Sequence, residues 1–210
     1  MAEKFELSFL TDKSNEDILL IVTSILQDYD WSFNVKENGK YSYWVDGPIW
    51  KFGESIEIVE SKRDEKNNIQ KIKKILHVIS KYYSQNIVYQ KYIRNKLTYV
   101  IVSIVESSTN ERWKELSVAF ELADLEGYNE RLKDIFVCIC KCLLPFYAIA
   151  AIEMKGVVDN PSDLSLNEKN FGILNYFSYK IEGVMKLEKR IDAHDIVQSE
   201  EGLFVFEKAS

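Results

Sequence analysis

What this chain has little of narrows its identity most. Three prolines and eight glycines in 210 residues leave no room for a long flexible linker. No low-complexity tract occurs either, so the chain reads as a single domain over 1–210. Histidine appears twice, as His77 and His194. There is no glycine-rich phosphate loop, no Gly-x-Ser-x-Gly turn and no His-Glu-x-x-His pair. Cysteine is limited to Cys138, Cys140 and Cys142, an odd number crowded into five residues. Neighbours this close rarely reach disulfide geometry. The spacing does not suit zinc, because on a helix positions 138 and 142 share a face while 140 points away. Reduced core thiols in a cytoplasmic protein are the expectation.

No catalytic constellation emerges from what remains. His77 falls on or beside the apolar stripe of a helix and is expected to pack there. His194 lies between Asp192 and Asp195, acids that favour its protonated form. Asp159, Asp163 and Glu168 match no calcium loop. The expectation is a protein that is not an enzyme, with no cofactor and no metal site. An enzyme with a dispersed site, built on His194 and nearby acids, is one alternative. Long apolar runs are also missing. Residues 135–152 are apolar apart from Lys141, but Pro145 divides them, and a bilayer span needs about 20 such residues. The first residues carry acids where an export signal has an apolar core, so neither membrane nor export is expected.

Periodicity supplies the elements. Phe5, Leu7 and Phe9 alternate with polar residues, the pattern of a half-buried strand. Ser14 with Asp17 forms a near-capping box ahead of a helix striped by Ile18, Ile21, Val22, Ile25 and Leu26. Trp31, Phe33 and Val35 restore the two-residue period. Asn38-Gly39 then predicts a hairpin turn, with Tyr41, Tyr43 and Val45 on the return strand until Gly47-Pro48 breaks it. A second helix starts near Asn67 or Asn68, striped by Ile69, Ile72, Leu76, Ile79 and Tyr83. Strands follow near 99–105 and 116–122. A third helix is striped by Leu132, Ile135, Phe136, Ile139 and Leu143, and a buried strand covers 146–154. A fourth helix is expected over 172–190, and a closing hairpin around Ser199 to Gly202. The fold class is therefore α+β, a mostly antiparallel sheet with about four helices packed on it. Two similar halves, 1–96 and 97–210, stay open, because Asn15-Glu16 and Asn129-Glu130 open comparable helix–strand units.

Charge is the strongest chemical signal. Residues 66–96 carry eight lysines and arginines and no acid. The whole chain has a net charge of -6, which leaves -14 for the other 179 residues. Lys71, Lys74, Lys81, Lys91 and Arg94 are interleaved with tyrosines, a mixture that could neutralise phosphates and stack on bases. A nucleic-acid-binding module is thus an alternative, though one disfavoured by the acidity of the whole. Residues 106–210 hold 19 acids against 12 bases. Among them Glu111, Glu115 and Glu126 offer a surface that attracts a basic partner. Tyr41, Tyr43, Trp44, Asp46 and Trp50, with Trp31, surround the predicted hairpin. Alternating faces cannot both be buried in a one-sided sheet, so some of these aromatics are candidate binding anchors.

One resemblance joins these features. The run Asn170-Phe-Gly-Ile-Leu-Asn-Tyr-Phe177, a following helix and the final Glu201-Gly-Leu-Phe-Val-Phe206 strand resemble the endings of some bacterial polymorphic-toxin immunity proteins. The resemblance implies a small acidic α+β protein that binds and blocks a cognate toxin without chemistry of its own. It carries no binding residue across. The expected partner is a basic toxin domain, and the expected mechanism is occlusion.

Overall fold

The computed structural model describes residues 4–34, 40–45, 51–57, 69–81, 84–93, 95–107, 112–121, 129–152, 164, 166–167, 171–187 and 194–207; for 40–45 and 51–57 only the backbone is described. Eleven strands and four helices appear among them. In chain order they are β1 Lys4–Thr11, α1 Asn15–Asp28, β2 Ser32–Phe33, β3 Lys40–Val45, β4 Lys51–Glu57, α2 Ile69–Ile79, β5 Ser84–Ile93, β6 Lys96–Glu106 and β7 Lys114–Glu121. Then come α3 Asn129–Leu143, β8 Tyr147–Ile152, β9 Leu174–Ser178, the single turn α4 Val184–Leu187, β10 His194–Gln198 and β11 Gly202–Glu207.

Nine strands form one sheet in the order β10-β11-β9-β8-β1-β7-β6-β5-β2, with every neighbouring pair antiparallel. The α+β expectation therefore holds. The first strand of the chain sits in the middle. Leu7 lies between Val118 and Ala150, and Phe9 between Leu116 and Ala148. Strands β7 and β8 both flank β1, so α3, which connects them, crosses over it. Phe136 of α3 lies against Phe9 with ring centroids 5.5 Å apart.

The three long helices cover one face of the sheet. Ser14 caps α1 by accepting from the Asp17 amide at 3.1 Å and donating to its carboxylate at 2.6 Å. In α2, Ile72, Ile75, Leu76 and Ile79 are buried while Lys73, Lys74 and His77 are exposed. In α3, Leu132, Ile135, Phe136, Ile139, Cys140 and Leu143 point inward. These stripes meet Phe5, Leu7, Phe9, Val100, Val102, Ile104, Val118 and Phe120 in one core. A second, smaller core lies on the opposite face of the sheet. There Leu10, Tyr147, Phe177, Leu203 and Val205 are sealed by Ile181, Val184 and Leu187. Strand β9 is thus buried on both faces.

Four sequence expectations fail here, each for a physical reason. Residues 172–190 hold β9 and one short helical turn in place of a long helix. A strand covered on both faces loses the two-residue alternation that marks a half-buried one. Its buried Asn175 is satisfied by the Gly172 amide and carbonyl at 2.9 and 2.8 Å. Strand β5 falls within the basic tract, where helix periodicity and charge hid the alternation of Ile87 and Tyr89. The partner of β2 is β5, and β3 pairs with β4 across 46–50. The expected pairing of the strand at Trp31–Val35 with that at Tyr41–Val45 is therefore not formed among the described residues; Asn38-Gly39 lie outside them. His77 is exposed, 3.6 Å from Glu16, and does not pack in the core.

The break read at Pro145 is present. Leu144 takes a left-handed φ of 51° and its amide donates to the Cys140 carbonyl at 2.9 Å, ending α3. No described helix is long and apolar enough to cross a membrane. Of the cysteines, Cys140 is buried, Cys138 half-buried and Cys142 exposed, so only one is a core thiol. Burial pushes the Cys140 thiol up.

Two outcomes test this packing. A Cβ on Gly202 would lie 2.5 Å from the Phe177 carbonyl oxygen and 2.7 Å from the Tyr176 ring. Gly202→Ala should therefore cost about 1–3 kcal/mol in urea unfolding. The second concerns pH. Burial raises the phenols of Tyr89, Tyr147 and Tyr176, and it raises Tyr29 to about 12 with help from a 3.7 Å hydrogen bond to Cys138. Each binds its proton more tightly folded than unfolded. Their stabilisation is whole below the ordinary phenol value of about 10 and is lost as pH rises through the folded values. Urea midpoints should fall steadily above pH ~10, and part of the tyrosinate absorbance should appear only with unfolding.

Candidate interaction surface

The second core covers only the β8–β9–β11 side of its face. On the same face, the β5–β6–β7 side is open to solvent. Its rows follow from register. One row runs Val88, Ile101, Ala119, Glu6, Ala151 across five strands. The next runs Asn86, Ser103, Ser117, Ser8, Ile149. A third places Val105 beside Glu115 and Glu115 beside Leu10, where it enters the second core. Toward the other end lie Tyr99, opposite Gln90, and Tyr92, opposite Leu97.

Exposure separates this face from its reverse. Tyr92 is 64% exposed, Val105 43% and Tyr99 39%, whereas Val100, Val102 and Ile104 on the other side of β6 are fully buried. Ile101, Leu97 and Ala119 are half-buried. Among the described residues the surface is therefore apolar and aromatic, with carboxylates at Glu6, Glu115 and Glu121 and an amine at Lys4. The Ser117 hydroxyl donates to Glu6, and that of Ser103 donates to Asn86 Oδ1 at 2.7 Å. Exposed aromatic rings beside carboxylates are the composition found at protein-binding surfaces.

The residues proposed from sequence distribute unevenly. Glu115 stands on this face. Tyr41, Tyr43 and Trp44 belong to β3, but their side chains lie outside the described residues, as do Asp46, Trp50, Glu111 and Glu126. Trp31 is buried, edge-to-face with Phe120 at 5.8 Å, and belongs to the core. Tyr92, Tyr99, Ile101, Val105, Glu6 and Glu121 were not singled out from sequence. Both faces of β6 are apolar, so alternation alone could not show which one stays uncovered.

The basic tract does not make one surface. Lys74 and Lys81 are exposed at α2 and the turn after it, while Lys71 has only its backbone described and Arg94 lies outside the described residues. Lys91 is held inward. Its amine donates to the Tyr29 carbonyl at 2.8 Å and to Asp30 at 3.3 Å, and lies 6.0 Å from the Trp31 ring centroid. Tyr89 is buried, hydrogen-bonded to Thr23 at 2.6 Å, and cannot stack on a base. Tyr92 points to the opposite side of the sheet from α2. His194 opens the edge strand β10, half-buried against Phe171 at 5.9 Å. Among the described residues no three His, Cys, Asp or Glu side chains converge.

If the open face is kept for binding, its side chains carry little of the fold. Val105→Ser should change unfolding free energy by no more than about 0.5 kcal/mol. Ile104→Ala, one residue away on the buried side, should cost about 2–5 kcal/mol. Urea denaturation of the two variants distinguishes a free face from one that packs.

No protein-family model matches this chain, and no curated protein matches its sequence. A solved structure does. The Pseudomonas aeruginosa T6SS protein PA0821 superposes with a TM-score of 0.54 over 97% of this chain and 68% of its own, at 8% sequence identity. At that identity the likeness is one of fold.

Proposed function

We propose that this chain is a non-catalytic binding protein that docks a basic protein partner on the open half of its sheet, as an immunity protein blocks a toxin. One observation carries the reading: Tyr92, Tyr99 and Val105 stand exposed, with Ile101 half-buried between them, on the same face as Glu6, Glu115 and Glu121. The carboxylates, backed by a net charge of -6, steer a cationic partner into register. The aromatic and aliphatic side chains then lose their water and supply the affinity. Inhibition follows from occlusion, so no bond is made or broken. Aromatics of β3 extend the surface only if their side chains face the same way. The fold shared with a T6SS protein supports a place in a secretion-system setting. The inward turn of Lys91 and Tyr89 counts against the nucleic-acid reading, because it removes one cation and one ring from the tract's surface.

The test is binding to the product of the neighbouring gene, followed by surface plasmon resonance at two salt concentrations. A dissociation constant below micromolar is expected at low salt. Tyr99→Ala should weaken it tenfold or more, about 1.4 kcal/mol or above. Glu115→Lys combined with Glu121→Lys should slow association and flatten its salt dependence. Association no tighter than micromolar, or indifference to all three substitutions, would sink the proposal.

A further inference from the structure

A recess of about 280 Å³ lies on the helix-covered side of the sheet, away from the surface just described. The last turn of α3 and the β10–β11 turn enclose it. Cys140 and Leu144 form one wall, the rings of Tyr176 and Phe204 form the other, and Glu200 and Glu201 stand at the rim. The ring centroids of Tyr176 and Phe204 are 4.9 Å apart. The walls are therefore apolar and aromatic while the mouth is acidic.

Three independent observations bear on what would fill it. First, Glu200 and Glu201 are both exposed, and neither forms an ion pair with Lys141, the lone cation of the lining, among the described residues. Second, α3 ends here after 15 residues, so the negative end of its dipole adds to the two carboxylates. Third, Tyr176, only 2% exposed, lines the recess and brings a phenolic hydroxyl to its wall. That hydroxyl end lies against Gly202, where the absent side chain leaves room for it.

We propose that this recess binds a cation carried on an apolar stem, an alkylammonium or an amidinium-like group. The stem lies on Leu144 and Phe204. The charge sits between the rim carboxylates and the aromatic faces, which attract cations, and donates a hydrogen bond to Tyr176. Either a free small amine or a lysine or arginine side chain of a protein could supply this chemistry.

The experiment is an NMR titration of the intact chain with benzamidinium, and with benzamide as its neutral counterpart of the same shape. Benzamidinium should shift the resonances around Leu144 and Phe204, and benzamide should bind at least about fivefold more weakly. Glu200→Gln with Glu201→Gln should erase that difference, and Tyr176→Phe should weaken the cation while leaving the fold intact. A third arm compares butylammonium with a blocked tripeptide carrying one arginine. Preference for the first points to a free amine and preference for the second to a protein side chain. No shift at these residues, or equal binding of benzamidinium and benzamide, would overturn the inference. The recess is remote from the open sheet face, so partner binding through Tyr99 and Glu115 can succeed or fail independently.

Discussion

Everything in this molecule is organised by the clamping of β1 between β7 and β8 beneath α3. Phe5, Leu7 and Phe9 present an unbroken apolar row to the helices, and their removal from water is the dominant stabilising term. The crossover requires α3 to lie over β1, and Phe136 against Phe9 is the contact that fixes it. Helix α1 packs beside α3, and α2 completes the layer over β5 and β6. Once one face is covered by three long helices, the other needs cover only where its side chains are large and apolar. That holds for the β8–β9–β11 side, where Phe177, Leu203 and Val205 demand a lid and Leu164, Leu166, Phe171, Ile181, Val184 and Leu187 supply it. On the β5–β6–β7 side serines, an alanine and carboxylates dilute the apolar residues, and the sheet stays open.

The same asymmetry accounts for what the sequence could and could not reveal. Strand β1 and helices α1 and α3 were legible because each has one buried and one solvated face, giving clean periods of two and 3.6. The closing hairpin was legible from Ser199 and Gly202, whose hydroxyl and amide tie the turn at 3.1 Å. Strand β9 was not, because covering both faces removes the contrast on which periodicity depends. Pairing partners were also hidden. Asn38-Gly39 favours a local hairpin, yet β2 finds β5, and local turn propensity is weak against burial of Trp31 and Phe33. Of the proposed docking residues, Glu115 could be placed because charge announces itself. Tyr99 and Val105 could not, since an apolar residue on a strand with two apolar faces gives no hint of which side is covered.

Charge segregation takes on a different meaning in three dimensions. The basic tract spans α2, β5 and the start of β6, and its described members do not share one surface: Lys73 and Lys74 point outward on α2 while Lys91 is held inward. Among the described residues, Glu115 and Glu121 of β7 stand on one side of the sheet, and Glu200 and Glu201 of the β10–β11 turn rim the recess on the other. Folding thus redistributes a charge run of the sequence over separate surfaces. Long-range attraction depends on that summed distribution more than on any pair.

The central place of β1 also governs how the chain must assemble. Phe5 stands opposite both Phe120 and Ile152, so β1 cannot complete its pairing until both β7 and β8, more than a hundred residues further along, are in place. Contacts so distant in sequence slow folding, because the loop entropy between them is lost before the pairing is gained. Meanwhile a row of phenylalanines and leucines is exposed beside open backbone donors and acceptors. Until that pairing is complete, β1 is the segment of this sheet most exposed to wrong association.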